Sequence, residues 1–71
     1  MANESLINLR KARGFLQAEV ARKAQITEAG YAYYEQGKRT PSVRTAIRIA
    51  GALGVQSWKG FCELWDGNPT T

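Results

Sequence analysis

The side chains that could do chemistry in this sequence are basic, and most of them lie in its central part. Between residues 10 and 48 there are nine lysines and arginines against three acids, while the whole chain has a net charge of +4. A basic stretch of this kind suggests a polyanion as partner, and duplex DNA is the commonest one. Small proteins also reach this net charge by chance, so the charge alone is equally consistent with an ordinary solvated surface that binds no polyanion.

The residue types needed for several kinds of catalysis are missing. The chain has no histidine and a single cysteine, Cys62. An internal disulfide, the usual zinc sites and histidine-based triads therefore lack their parts. Because the acids are also scattered, we expect no enzyme, no metal site and no cofactor. Cys62 is most simply a small buried or interfacial residue.

The length of 71 residues indicates one domain with a modest core, and 44% apolar residues are enough for it to fold. No apolar run approaches the roughly 20 residues of a membrane span. Residues 1–9 lack the pattern of a signal peptide, so we expect a cytoplasmic protein. We also expect no separate effector domain, since the predicted domain uses the whole chain.

Apolar residues recur at helical spacing between glycines and prolines, which predicts an all-α chain of five helices. Ser5 is expected to cap the first helix, and Gly14 to end it. The second helix is predicted from about Gln17 to Ala24. Leu16 occupies its N-cap position, where the absence of a capping side chain costs about 1 kcal/mol.

The third helix follows a tight turn, residues 25–27, with Thr27 as its N-cap, and is predicted to run to about Tyr34. Ser42 is expected to cap the fourth helix, and Gly54 to end it. The inward stripe of this fourth helix is predicted to consist of Val43, Ala46, Ile47, Ala50 and Leu53.

The fifth helix, predicted from Ser57 to about Trp65, carries three aromatic residues at spacings of three and four. Trp58, Phe61 and Trp65 either close the core of a small domain or supply part of a self-complementary dimer contact. Both can hold, with Trp58 inward and Phe61 or Trp65 at the interface. Residues 66–71 are expected to form a mobile tail.

A three-residue turn between two short helices is the arrangement of a helix-turn-helix. Ala21 is small enough to let the two helices cross closely, and Ile26 anchors the turn. The third helix then projects from the surface and fits a major groove about 12 Å wide. Lys38 and Arg39 follow it at once, in a place suited to phosphate contacts.

A set of residues at fixed spacing resembles one family of such domains. The matching positions are Leu9-Arg10, Gly14-Phe15, Gln17, Val20-Ala21, Ile26-Thr27, Tyr31, Glu35, Gly37, Pro41-Ser42, Ile49-Ala50 and Leu53-Gly54-Val55. Over residues 6–55 the chain resembles the Cro/cI-type (XRE) helix-turn-helix DNA-binding domains, as found in phage repressors. The resemblance implies a lambda-repressor-like fold of five helices, in a single domain over residues 1–71.

The resemblance also implies roles for particular side chains. Base edges would be contacted by Thr27, Glu28, Ala29, Ala32 and Tyr33. Phosphates would be contacted by Gln17, Gln36, Lys38, Arg39 and Arg44. Arg10 and Glu35 would form a partly buried ion pair that joins the first helix to the end of the third, and Gln17 would brace the third helix.

Simpler interpretations of several of these residues stay open. Glu28 suits the positive end of the helix dipole whether or not it reads a base. Tyr33 could be an ordinary surface aromatic, and Lys38 with Arg39 a solvated turn. Gln25 takes the place of a glycine that is often left-handed in this turn, and Gly30 weakens the third helix by about 1 kcal/mol relative to alanine.

The predicted function is that of a small transcriptional regulator, a repressor from a phage, mobile element or bacterial operon. It would bind operator half-sites on double-stranded DNA as a homodimer, without a small-molecule effector and without a membrane partner, and stay with the nucleoid. The alternative is a protein-interaction module that retains the fold, such as an antitoxin. Glu28, Gly30 and the aromatic fifth helix fit that alternative in part.

Overall fold

The structure, a computed structural model, describes residues 2–65, with Trp58 and Glu63 described in their backbone only. Over this range all regular secondary structure is helical, which confirms the predicted all-α fold. The predicted mobile tail, residues 66–71, lies outside the described residues. No helix within the described range is long and apolar enough to cross a membrane. The helices are α1 (Glu4–Ala12), α2 (Gln17–Ala24), α3 (Glu28–Gln36), α4 (Val43–Ala52) and α5 (Trp58–Leu64).

The core forms where α2 packs against α3 and α4, and α1 packs against α3 and α5. Ala21 and Ala24 of α2 are buried, and their small side chains allow the neighbouring helices to approach closely. The aromatic residues Phe61 and Trp65 are buried as well. The largest fully buried side chains are Tyr31, Leu6, Ile49, Leu53 and Val20.

The N-cap of α1 is Asn3, so the prediction of Ser5 in that role is wrong. Asn3 Oδ1 accepts a hydrogen bond from the Leu6 N–H at 3.0 Å. Asn3 Nδ2 donates to the Leu64 carbonyl at 2.8 Å, and the Asn3 N–H donates to the Glu35 carbonyl at 2.8 Å. Asn3 is the favoured N-cap because it caps α1 and also links this helix to α3 and α5 by hydrogen bonds, whereas Ser5 is exposed in the first turn.

The N-terminus of α2 begins at Gln17, as predicted, and Leu16 supplies no side-chain cap. Glu19 reaches back instead, and its Oε1 accepts the Leu16 N–H at 2.8 Å. This bond is one half of a capping box, and the other half is missing because leucine has no acceptor. The Glu19 side chain therefore satisfies the N–H of Leu16, while the N–H of Glu19, which a capping side chain would accept, donates to the Leu16 carbonyl at 3.0 Å.

The turn between α2 and α3 contains a left-handed residue that is not glycine, Gln25, with a φ of 62°. It ends α2, and the Ile26 N–H returns to the Ala21 carbonyl at 3.0 Å. Thr27 then caps α3, since its Oγ1 accepts the Gly30 N–H at 3.0 Å. A Cβ on residue 30 would lie 2.9 Å from that same oxygen. Gly30 thus weakens the helix but leaves room for its cap.

The helix α4 begins after Ser42, whose Oγ accepts the Thr45 N–H at 3.2 Å, as predicted. Its inward stripe is narrower than predicted. Val43 and Ile47 are 43% and 56% exposed, so their assignment to the stripe is wrong. They lie one turn apart on the more exposed side of α4. The buried residues of this stretch are Ala46, Ile49, Ala50 and Leu53.

We predict that Gln25→Gly raises the free energy of unfolding by about 0.5–1 kcal/mol, because relief of left-handed strain exceeds the added chain entropy of glycine. The substitution also removes a hydrogen bond from Arg48 Nη2 to Gln25 Oε1 at 2.7 Å. Because that bond is exposed, its loss lowers the free energy of unfolding only slightly. Urea unfolding followed by circular dichroism measures the change.

The matched control for this prediction is Gln56→Gly. Gln56 is also exposed in a loop, but its φ is not positive. Glycine at this position therefore only increases the conformational entropy of the unfolded chain, and it lowers stability. Equal losses in the two variants would show that Gln25 is not strained.

Candidate nucleic-acid interface

The helix α3 has one side in the core and one side in solvent. Tyr31 and Glu35 are buried, whereas Ala29, Tyr33 and Gln36 are exposed. The exposed residues recur at spacings of three and four and so share one side of the helix. The other residues predicted to contact bases are accessible too, with Thr27 and Glu28 exposed and Ala32 half-buried. A long, unobstructed helix side is therefore available to a partner.

A buried ion pair holds the inner side of α3. Arg10 Nε donates to Glu35 Oε2 at 2.6 Å, and Arg10 Nη2 donates to Glu35 Oε1 at 3.3 Å. Arg10 Nη1 also donates to the Phe15 carbonyl at 2.9 Å. The two charged side chains are only 13% and 4% exposed. One guanidinium thus joins α1, the loop before α2 and the end of α3, as the resemblance implies.

A third side chain completes this cluster. Gln17 Nε2, in the first turn of α2, donates to Glu35 Oε1 at 2.9 Å. The amide nitrogen carries two hydrogens, so a second donor remains for another acceptor. Gln17 is half-buried, which places it between the core and the surface beside α3. We call Arg10, Gln17 and Glu35 the polar cluster.

The charge state of the polar cluster follows from its contacts. Burial acts to raise the pKa of Glu35, but hydrogen bonds from Arg10 and Gln17 outweigh it and leave that pKa below its ordinary value of 4.5. The hydrogen bond with Glu35 raises the pKa of Arg10 in turn. The hydroxyl of Tyr31 is buried beside the carboxylate without a hydrogen bond of ordinary geometry, and burial raises its pKa. The pair is therefore ionised at neutral pH.

The loop after α3 places basic residues beside its exposed side. The helix runs two residues further than predicted and ends at Gly37, which is left-handed with a φ of 75°. The Lys38 N–H returns to the Tyr33 carbonyl at 3.0 Å, which reverses the direction of the chain. Lys38 and Arg39 are exposed, and Arg44 is exposed in the first turn of α4.

Sequence reasoning missed one contact in this loop. The guanidinium carbon of Arg39 lies 5.4 Å from the centre of the Tyr33 ring, a distance typical of a cation–π contact. The two residues are six apart, a spacing that no helical rule brings together. Only the chain reversal at Gly37 brings them together. The sequence signal that could have indicated it is a glycine followed by two basic residues.

The aromatic residues of α5 lie mainly inside the molecule. Phe61 is 6% exposed and Trp65 is 7% exposed, so their rings are used in the core and offer little area to a second chain. The side chain of Trp58 lies outside the described part of the structure. Among the side chains that the structure describes, the large exposed apolar ones are Leu16, Tyr33, Val43 and Ile47.

Comparison with known proteins identifies a single type of domain. The sequence profile described as Helix-turn-helix matches residues 6–57. The HTH-type transcriptional regulator YqaF of Bacillus subtilis (strain 168) is 45% identical over 51 residues, which are 72% of this chain and 66% of that protein. The SPbeta prophage-derived HTH-type transcriptional regulator YonR of the same organism is 35% identical over 57 residues, 80% of this chain and 53% of that protein.

A further relative comes from a phage. The cryptic phage CTXphi transcriptional repressor RstR of Vibrio cholerae is 36% identical over 62 residues, which are 87% of this chain and 54% of that protein. The chain spans between 53% and 66% of the length of these three relatives. No solved structure matches it significantly.

We predict that Glu35→Gln lowers the free energy of unfolding by about 3 kcal/mol at neutral pH, because it leaves the buried Arg10 without a counter-charge. The pKa of Glu35 is lower in the folded than in the unfolded chain. Its contribution is therefore complete above the unfolded pKa of about 4.5 and disappears as the pH falls through the folded pKa. Urea unfolding at a series of pH values measures both effects.

The control is Glu28→Gln, which removes an exposed acid from the first turn of the same helix. We expect this variant to keep most of the acid sensitivity of the parent, whereas Glu35→Gln should lose a large part of it. Identical pH profiles for the parent and Glu35→Gln would contradict the role given to this carboxylate.

Proposed function

Because the chain belongs to the Cro/cI-type (XRE) helix-turn-helix family, we propose that it binds double-stranded DNA sequence-specifically, with α3 in the major groove. The family match confirms the resemblance seen in the sequence. The observation that carries the proposal is the exposed outer side of α3 next to Lys38 and Arg39. A groove about 12 Å wide accepts a helix only if the side facing it is unobstructed.

The proposed base contacts come from the exposed residues of α3 and its cap. Thr27 and Glu28 lie at its N-terminus, the part that commonly meets base edges in this type of domain. The carboxylate of Glu28 would accept a hydrogen bond from a cytosine amino group. The remaining contacts, from Ala29, Ala32 and Tyr33, are suited to the methyl group of thymine.

The proposed phosphate contacts surround that helix. Lys38 and Arg39 follow α3, and Arg44 opens α4, each with an exposed cation. Gln36 is exposed at the end of α3, and Gln17 has an N–H left over from its bond to Glu35. Contacts of this type set the position of the protein on the duplex and carry no sequence information directly.

We further propose that the protein acts as a repressor, as a homodimer on its operator. RstR is named a transcriptional repressor, which supports this direction of regulation. Two half-sites about one helical turn apart are expected, because a two-fold dimer meets the same face of the duplex twice. Occupancy of the operator would then block transcription without an enzymatic step, in the cytoplasm and at the nucleoid.

Selection of bound duplexes from a random pool tests this proposal, and native mass spectrometry of the selected complex gives its stoichiometry. We expect one recurring motif with two-fold symmetry and two chains per duplex. Binding should weaken steeply as salt rises, because phosphate contacts release counterions. Failure to enrich any sequence, or binding that does not respond to salt, would contradict the proposal.

One observation favours a second candidate, a protein-interaction module such as an antitoxin. Val43 and Ile47 are exposed one turn apart on α4, and adjacent exposed apolar side chains are typical of protein contacts. Such a module would show almost no binding to random duplex at any salt concentration. The salt titration therefore separates the two candidates.

We predict that Lys38→Ala weakens binding to all duplexes by a similar factor. Its proposed contact is a phosphate, so the slope of log affinity against log salt should fall by about 1. Fluorescence anisotropy at several salt concentrations measures it. Lys59→Ala removes an exposed lysine from α5, far from α3 in sequence, and should leave the slope unchanged; an equal change in both variants would contradict a local contact.

We predict that Tyr33→Ala changes sequence preference more than stability, since the side chain is 39% exposed on the outer side of α3. A repeated selection with the variant should show a different base at the position that Tyr33 contacts. The control Ile47→Ala truncates another exposed apolar side chain and should retain the parental motif. A collapse in melting temperature with an unchanged motif would assign Tyr33 to the core.

A further inference from the structure

The contact between Arg39 and Tyr33 joins the two classes of residue that the proposed function keeps apart. Tyr33 belongs to the exposed side of α3, where base contacts are proposed, and Arg39 belongs to the loop, where phosphate contacts are proposed. The guanidinium carbon lies 5.4 Å from the ring centre. The stack is therefore present in the protein without any DNA.

The backbone conformation of the loop holds Arg39 close to Tyr33. Upstream, Gly37 is left-handed and the Lys38 N–H is bonded to the carbonyl of Tyr33 itself. Downstream, Pro41 is buried, which holds the loop against the core two residues after Arg39. Arg39 is thus held from both sides, and its side chain need only extend along the last turn of α3 to reach the ring.

The stack changes what each side chain can do. A guanidinium above the ring restricts the two side-chain torsions of Tyr33, and the residue still remains 39% exposed. Arginine has five N–H donors and needs none of them to stack on an aromatic face. It can stack and bind a phosphate at the same time.

We propose that Arg39 is a positioning residue for sequence preference, which orients the ring of Tyr33 towards the base that it contacts. This proposal rests on the proposed function and goes beyond it. A phosphate contact alone would affect all sequences alike, whereas a residue that orients a base-contacting ring affects one base position more than the others. Arg39→Ala shows both effects: the lost phosphate contact lowers affinity for all duplexes alike, whereas the lost ring contact lowers discrimination at one base position. Lysine would not serve, because an ammonium makes the same kind of contact with a ring, as Lys23 does with Phe15 at 5.2 Å.

The first experiment uses the full-length chain without DNA. An aromatic ring shifts the NMR signals of protons held above its face, so the side-chain protons of Arg39 should resonate upfield in the parent. Tyr33→Leu should return them to ordinary values. Arg39 signals that are unshifted in the parent, or unaffected by Tyr33→Leu, would overturn the proposal whatever the DNA experiments show.

The second experiment uses the operator selected by the parent and its single-base variants. We expect Arg39→Ala to bind random duplex more weakly than the parent, as Lys38→Ala does, and in addition to lose about two- to fivefold discrimination at one base position, the size expected for a surface cation–π contact. That position should be the one whose preference changes in Tyr33→Leu. Adding Arg39→Ala to Tyr33→Leu should cause no further loss of discrimination.

The matched control is Lys38→Ala, which removes the neighbouring cation and should weaken all duplexes alike. Equal discrimination by Arg39→Ala and the parent at every position would overturn the positioning role and leave DNA binding intact. If the parent enriches no sequence, the proposed function fails and this inference fails with it. The two failures are therefore distinguishable.

Discussion

The carboxylate of Glu35 is the point on which the position of α3, the helix proposed to bind DNA, depends. It is buried and charged, so it must be surrounded by donors, and Arg10 and Gln17 supply them from two other helices. A buried charge that loses its partner is strongly destabilising, so these distances leave little freedom. An apolar contact would hold α3 in place with less directional control. The polar cluster therefore determines which side of α3 faces outward.

Two further constraints hold α3 at its ends. The cap by Thr27 and the left-handed Gln25 set where the helix begins, and Gly37 sets where it ends and turns the chain back towards it. Thr27 and Gly37 follow local preferences, whereas the left-handed Gln25 before the helix and the helical Gly30 in its first turn contradict them. Together with Leu16, the uncapped start of α2, these exceptions all fall in the helix-turn-helix, where the tertiary structure determines the backbone.

The fold was largely predictable, because the helical spacing of apolar residues and the positions of capping residues indicate the same helices along most of the chain. The bounds of α2 and the caps Thr27 and Ser42 follow from local chemistry alone. Asn3 was not predictable, because its advantage over Ser5 lies in hydrogen bonds to residues 35 and 64. Val43 and Ile47 share the apolar character of the buried stripe, but the packing of the neighbouring helices leaves them 43% and 56% exposed. For the proposed interface, the helical spacing of residues identified the exposed side of α3. The contact of Arg39 with Tyr33 is visible only in the structure.

The separation of the two sides of α3 also has an evolutionary consequence. Glu35 and Tyr31 face inward, while Ala29, Ala32, Tyr33 and Gln36 belong to the outer side and take no part in the polar cluster. Exchange of the outer residues therefore leaves the internal supports intact. A duplicated copy of this domain could acquire a new target by a few surface replacements without passing through an unfolded ancestor. The limit on such divergence would come from the Tyr33–Arg39 pair, whose members would have to change together.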